Sequence, residues 1–236
     1  LFPGEYIHLG GDEVAPDAWS KSPVIDDLKR KYHLKNSKDV ASWFINKLSK
    51  RVELNNKKTA SWQEAEDGHH QDDKTDKLLF SWQNLESGMN LAREGYKVVL
   101  CPAEHIYFDM AQSRNYADRG ANWAAVIPFE STVDWQIIPE NEPELEANIE
   151  GIQGHLWSET ILKDHEMESM ICPRILGLSE SAWSSQNNRR NGDELSDLVL
   201  NSFRNLFEKM NWDFYKAENF DMMSDPAKNK EALVNE

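Results

Sequence analysis

Tyr6-Ile7-His8-Leu9-Gly10-Gly11-Asp12-Glu13 reads as a short strand, a glycine turn and two adjacent acids. Four consecutive residues of strand character suit a buried strand. The paired glycines end it, because glycine supplies backbone conformations that close a strand sharply. Asp12 and Glu13 therefore fall in the loop at the strand's C-terminal end. Successive side chains leaving a strand alternate in direction, so the two acids face different parts of one pocket and do not share a proton.

The same unit recurs along the chain. Thr59-Ala60-Ser61-Trp62, Leu78-Leu79-Phe80-Ser81-Trp82, Lys97-Val98-Val99-Leu100-Cys101 and residues 149–156 read as four further strands, each with polar or aromatic residues at or just beyond its end. Helical patterns separate them. Ser22-Pro23 starts a short helix to about Tyr32, and Ser37 is the expected N-cap of a longer one through Leu54, with Val40, Trp43, Phe44, Lys47 and Leu48 at helical spacing. Residues 84–94 suit a connecting helix closed by Gly95, and another helix is expected around residues 173–183. Residues 109–148 contain Pro128, Pro139 and Pro143 without a clean period, which predicts a long loop over the active face.

Functional residues at the end of every strand suit a (β/α)8 barrel, whose chemistry sits at its C-terminal face, better than an open sheet with one switch point. Eight units close such a barrel. The five counted predict a C-terminal portion, about strands 4 to 8 of a TIM barrel, over residues 1–185, followed by a helical extension and tail over 186–236. The tail should carry one amphipathic helix near residues 195–210 and a frayed last dozen residues. The chain is expected to be a fragment beginning at the fourth strand, or to complete its barrel by self-association or with the missing N-terminal half.

Composition narrows the partners. Acidic residues outnumber basic ones by 41 to 26, for a net charge of -15, which argues against nucleic acid or an anionic membrane surface. No run approaches the roughly 18 apolar residues of a membrane span. Cys101 and Cys172 have no metal spacing and permit at most one disulfide. The connection at residues 66–77, with Gly68-His69-His70-Gln71-Asp72-Asp73, reads as a solvated loop and is assigned no chemistry. Nine Trp and nine Phe suit either core filling or contact with the apolar faces of sugar rings.

Glycoside hydrolysis needs one carboxylic acid to protonate the leaving oxygen and a second group to meet positive charge at the anomeric carbon. Glu13 suits the first role, because a half-buried Glu beside an ionised Asp is pushed toward a raised pKa. Asp12 suits the second. His8-Leu9-Gly10-Gly11-Asp12-Glu13 resembles the His-x-Gly-Gly-Asp-Glu signature of glycoside hydrolase family 20, the β-N-acetylhexosaminidases, and within it the bacterial chitobiase-like branch. Trp62, Trp82, Tyr107 with Asp109, and Trp157 with Glu159 follow in the family's order, so the resemblance runs from residue 1 to about 185.

The resemblance implies an exo-acting, retaining, substrate-assisted mechanism without metal or other cofactor. The substrate's acetamido oxygen attacks the anomeric carbon. Asp12 would orient and charge-stabilise the acetamido N–H, Tyr107 would hydrogen-bond the acetamido oxygen, and Glu13 would protonate the leaving group and then activate water. Trp62, Trp82 and Trp157 would wall the acetamido pocket, and Trp123 resembles the aromatic on the leaving-group side. Asp109 and Glu159 would accept hydrogen bonds from the outer hydroxyls, the alternative being helix-start acids. His8, inside the strand, is expected to orient its neighbours rather than touch sugar.

An Arg, an Asp and a His that the family uses from earlier loops would precede residue 1. The expected substrate is a terminal N-acetylglucosamine, or N-acetylgalactosamine, of chitobiose, chitooligosaccharides or glycans. The rival is a catalytically impaired sugar-binding or scaffold module. A family 18-type chitinase is ruled out, since no Asp-x-x-Asp-x-Asp-x-Glu run exists. The resemblance also implies a periplasmic or secreted location.

Overall fold

The structure, a computed structural model, describes residues 3–66, 77–115 and 118–216. The polar connection, except at its two ends, and the last dozen residues lie outside the described residues. The chain divides into two compact units, Leu1–Leu100 with Glu140–Gly151 and Cys101–Pro139 with Ile152–Glu236.

In the first unit, β1 (Tyr6–His8), β2 (Lys58–Trp62), β3 (Lys77–Ser81), β4 (Lys97–Leu100) and β5 (Ile149–Ile152) lie in one sheet in sequential order. The pairs β1·β2, β2·β3 and β3·β4 are parallel, with His8 opposite Ala60 and Trp62 opposite Phe80. Sequential parallel strands joined through helices are the arrangement of a (β/α)8 barrel, the class expected from sequence. Three strands are shorter than expected, and β1, which ends at His8 rather than Leu9, is not buried: Tyr6 and His8 are exposed and Ile7 half-buried, because β1 ends the strand order and has one strand neighbour. β4 stops before Cys101, and β5 stops at Ile152, short of Leu156.

Helices α1 (Pro23–Tyr32) and α2 (Ser37–Glu53) connect β1 to β2, and α3 (Leu85–Arg93) connects β3 to β4. Asn36, not Ser37, caps α2: its side chain accepts from the Asp39 N–H at 2.9 Å. Ser37 is buried instead, and its hydroxyl donates to the carbonyls of Pro16 and Ala18. The buried face of α2 is also rotated from the expected stripe. It comprises Val40, Ala41 and Ile45 with Ser42, Asn46 and Ser49, whereas Phe44 is exposed. The polar members find partners on the sheet, which makes their burial tolerable. Ser49 hydrogen-bonds Thr59 at 2.8 Å, and the Lys77 ammonium donates to Asn46 and pairs with Glu66 at 2.9 Å. Helix α3 is capped by Asn84 and closed by Gly95 at φ 91. Its Gly88 permits close approach, since a Cβ there would stand 2.4 Å from Leu100.

The second unit begins with α4 (Ala103–Ile106) and holds α5 (Asp164–Ile171), α6 (Arg174–Trp183), α7 (Gly192–Leu198) and α8 (Arg204–Met210). The helix expected near residues 173–183 is α6, preceded by a separate α5. A π-helical turn, Val199–Phe203, joins α7 to α8, so the expected single helix is present in three pieces. Residues 109–139 are not a bare loop. The Ala111 N–H donates to Ala121, the Ala121 N–H to Asp109 and the Ile127 N–H to Ala111, while Phe129 and Val133 pack with Leu195 and Val199. Gly177 lets α6 lie against Thr132, whose Oγ1 would be 1.8 Å from an added Cβ. Cys101 and Cys172 are buried free thiols. Among the described residues no helix is long and apolar enough to cross a membrane, and no group of three or more His, Cys, Asp or Glu is placed to hold a metal ion.

Candidate active site

The acid loop is built by glycine. Beyond β1 the parallel pairing continues through the Leu9 N–H to Ala60 at 2.8 Å and the Trp62 N–H to Gly10 at 3.0 Å. Gly10 and Gly11 then take φ of 72 and 102, in the left-handed region. A Cβ on Gly11 would lie 3.0 Å from that of Ala65, so the loop seats directly on the 3₁₀ turn Gln63–Glu66 that follows β2. Glu13 itself sits at φ 50, which a non-glycine residue adopts at a cost of about 1–3 kcal/mol and keeps only where its surroundings hold it there. Its N–H donates to Oε1 of Glu64 at 3.3 Å. Asp12 and Glu13 are both exposed, so the half-buried setting expected of Glu13 is not the one found.

Glu64 also accepts the indole N–H of Trp82 at 2.8 Å through its other oxygen. The neighbouring Gln63, buried, accepts from the Ser81 hydroxyl at 2.7 Å and from the Trp82 N–H at 2.9 Å. His8 accepts the Gly10 N–H on Nδ1 at 3.1 Å, which leaves the ring proton on Nε2 in the neutral form. Its ring meets Trp62 and Phe80 edge-on at 5.3 and 4.9 Å. Desolvation by that packing lowers the His8 pKa, against an opposing pull from Asp12. His8 thus organises the glycine turn and the aromatic wall within this unit.

The second unit gathers the other predicted residues. Tyr107 is buried, in a parallel bridge with His155. Its ring stands 6.1 Å from Trp123, 5.3 Å from His155 and 6.2 Å from Trp157. His155 and Trp157 stack with planes 3° apart. Trp123 and Trp157 are exposed. Asp109, two residues on, is buried, and its Oδ1 has no hydrogen-bond partner among the described residues. Burial raises its pKa; its own N–H and that of Trp157 oppose the shift, and Glu159 adds to it. Glu159 is exposed. A buried carboxylate with a vacant acceptor is equipped to bind a hydroxyl.

Arg174 ties down the backbone on both sides of Asp109. Fully buried at the start of α6, it donates to the carbonyls of Phe108 at 2.5 Å, Met110 at 2.9 Å, Ile127 at 3.1 Å and Met170 at 2.7 Å. Phe108 and Met110 flank Asp109. Burial lowers the guanidinium's pKa and the charge of Asp109 pushes it back.

Gln63, Glu64, His155 and Arg174 were missed from sequence. Gln63-Glu64 directly follows Trp62 at a strand end, which is the one signal that pointed to them. Arg174 follows a proline at a helix start, where a cation opposes the helix dipole, and that misfit marked it.

Comparisons with known proteins agree with this fold. Residues 1–186 match the model of glycosyl hydrolase family 20, catalytic domain. A beta-hexosaminidase of Vibrio furnissii is 32% identical over 191 residues, covering 79% of this chain and 30% of that protein. An exo beta-N-acetylglucosaminidase from Vibrio harveyi, solved in complex with N-acetylglucosamine, superposes with a TM-score of 0.80 at 31% identity, covering 91% of this chain and 33% of the other. A Flavobacterium johnsoniae chitobiase gives a TM-score of 0.69 at 25% identity, covering 86% and 29%. The chain thus spans about a third of the length of the relatives it matches.

Proposed function

This chain belongs to glycosyl hydrolase family 20, and from that premise we propose that it serves the hydrolysis of terminal N-acetylglucosamine or N-acetylgalactosamine from oligosaccharide ends with retention at the anomeric carbon. The observation that carries the reading is the acid loop: Glu13 in a left-handed conformation on a Gly-Gly turn, with its N–H held by Glu64. A conformation of this kind persists only where the surrounding structure over-determines it, and here the Gly-Gly turn and Glu64 do so beside the two acids.

In this reading the substrate's acetamido oxygen attacks the anomeric carbon as the glycosidic C–O bond breaks and Glu13 gives its proton to the leaving oxygen. A cyclic oxazolinium forms. Water then opens it, losing a proton to Glu13, and the starting configuration returns. Asp12 holds the acetamido N–H, the Tyr107 hydroxyl donates to the acetamido oxygen, and Asp109 and Glu159 accept from outer hydroxyls. Trp62, Trp82, Trp123 and Trp157 supply apolar faces that exclude water. Chitobiose or chitooligosaccharide ends are the proposed substrates, supported by the chitobiase-like resemblance. An exported setting, periplasmic or outside the cell, belongs to the same proposal.

The exposure of Asp12 and Glu13 favours a second reading, a sugar-binding module without turnover. Hydrolysis of a nitrophenyl N-acetylglucosaminide by the 236-residue chain tests the first. Turnover should fall by about 100-fold or more in Glu13→Gln. Turnover that Glu13→Gln leaves intact sinks the assignment, and binding of a thiazoline mimic of the cyclised intermediate without turnover selects the second reading.

A further inference from the structure

We propose that Glu64 is a positioning residue that locks the acid loop and the Trp82 wall to each other; its service to hydrolysis rests on the functional reading above. Its two carboxylate oxygens engage donors on two different strand ends. Oε1 takes the backbone N–H of Glu13, after β1, and Oε2 takes the indole N–H of Trp82, after β3. Pinning the Glu13 N–H fixes the peptide plane from which the Glu13 side chain springs, and Glu13 has an unusual φ of 50 to maintain. Pinning the indole nitrogen fixes the rotation of a ring that is only partly buried.

The anchor point is itself rigid. Gln63, next in the chain, holds the Ser81 hydroxyl and the Trp82 N–H with one oxygen and donates to Gln83 at 2.9 Å with its amide. Ala65, on the other side, is the contact that requires glycine at position 11. Glu64 therefore stands between two residues already tied to the loops that it joins. An ionised carboxylate suits two N–H donors, because it presents acceptors only. A carboxamide cannot replace it. One end of Gln would turn an NH2 toward an N–H, leaving two donors facing each other.

The chemistry yields a specific pattern of coupling. E64Q should move the Trp82 indole resonance, identified by its loss in Trp82→Phe, in a 15N spectrum of the full chain recorded without substrate. The same variant should lower kcat/KM by about 10- to 100-fold, the range for losing a hydrogen bond to a charged group. In a Trp82→Phe background the conflicting donor is gone, so E64Q should then cost less than about threefold. A purely structural role for Glu64 would give equal losses in both backgrounds. Equal losses overturn the proposal, and so does a Trp82 indole resonance that E64Q leaves in place. The spectrum needs no turnover, so a displaced resonance in a chain that hydrolyses nothing upholds the lock and removes the functional reading instead.

Discussion

Replacing Arg174 with Met tests how the second unit holds Asp109. The guanidinium makes five hydrogen bonds to four backbone carbonyls, two of them to Met170. Arg174→Met keeps much of the volume and removes every donor. The carbonyls of Phe108, Met110 and Ile127 would then lie in the interior without this partner, at about 1–3 kcal/mol each. Part of that loss is offset, because Met has no charge to desolvate and burying a cation costs several kcal/mol. The balance is a loss of about 3–5 kcal/mol, a large share of the roughly 5–15 kcal/mol that folded domains hold. Thermal denaturation followed by tryptophan fluorescence should register it, with a fall in midpoint temperature of roughly 6–20 °C. Arg174→Lys retains the charge but lacks the planar fork, so it should recover less than half of the loss. A Met variant within about 1 kcal/mol of the parent would refute the reasoning. Full recovery by Lys would show that charge beside Asp109 matters and the fork does not.

Two further substitutions probe the backbone and the protonation of the fold. Gly11→Ala places a Cβ at φ 102 and 3.0 Å from Ala65, so it should cost about 1–3 kcal/mol in urea titrations and lower turnover as well; a change below about 0.5 kcal/mol would contradict the close seating of the acid loop. His105 stacks on Trp135 at 4.8 Å with Nδ1 3.1 Å from the Ser131 carbonyl, and burial lowers its pKa while Ser131 and Glu104 oppose the shift. A base with a lowered folded pKa takes up protons more readily when unfolded. Its neutral form stabilises fully above the unfolded value of about 6.5, and stability is lost as pH falls from there toward the folded pKa. His105→Phe preserves the stacking and should flatten that part of the stability–pH curve, and an unchanged slope between about pH 7 and 5 would show that His105 does not cause it.

The inner strands were legible in the sequence because a parallel sheet buries both of their faces, leaving short apolar runs between turn residues, whereas β1 and β5, at the two ends of the strand order, have no buried residue. Leu79, Val98 and Leu100, all fully buried, are of this kind. The helix faces were less legible. On α2 the periodicity of Val40, Phe44 and Leu48 points one way, yet Ser42, Asn46 and Ser49 turn inward because Thr59 and Lys77 on the sheet offer them partners. A polar residue that is satisfied on burial looks, in sequence, like a surface residue. Ser37 misleads for the same reason, since Asn36 and Ser37 are both acceptable caps and only the carbonyls of Pro16 and Ala18 decide between them.

The site residues divide along a related line. Tyr107, Asp109, Trp62, Trp82 and Trp157 are reached because their types and order along the chain resemble those of glycosyl hydrolase family 20. Glu64 and Arg174 act through backbone groups and one indole nitrogen, and no pattern of residue types records which carbonyl or N–H a side chain will reach. Both span long separations, 51 residues from Glu64 to Glu13 and 66 from Arg174 to Phe108. Their partners are present at every residue of the chain, so only the fold selects among them. What the acid pair Asp12-Glu13 needs from the rest of its unit is accordingly a matter of peptide planes: two glycines to make the turn, Ala65 to seat it, and a carboxylate at position 64 to hold the N–H of the residue proposed to carry the proton.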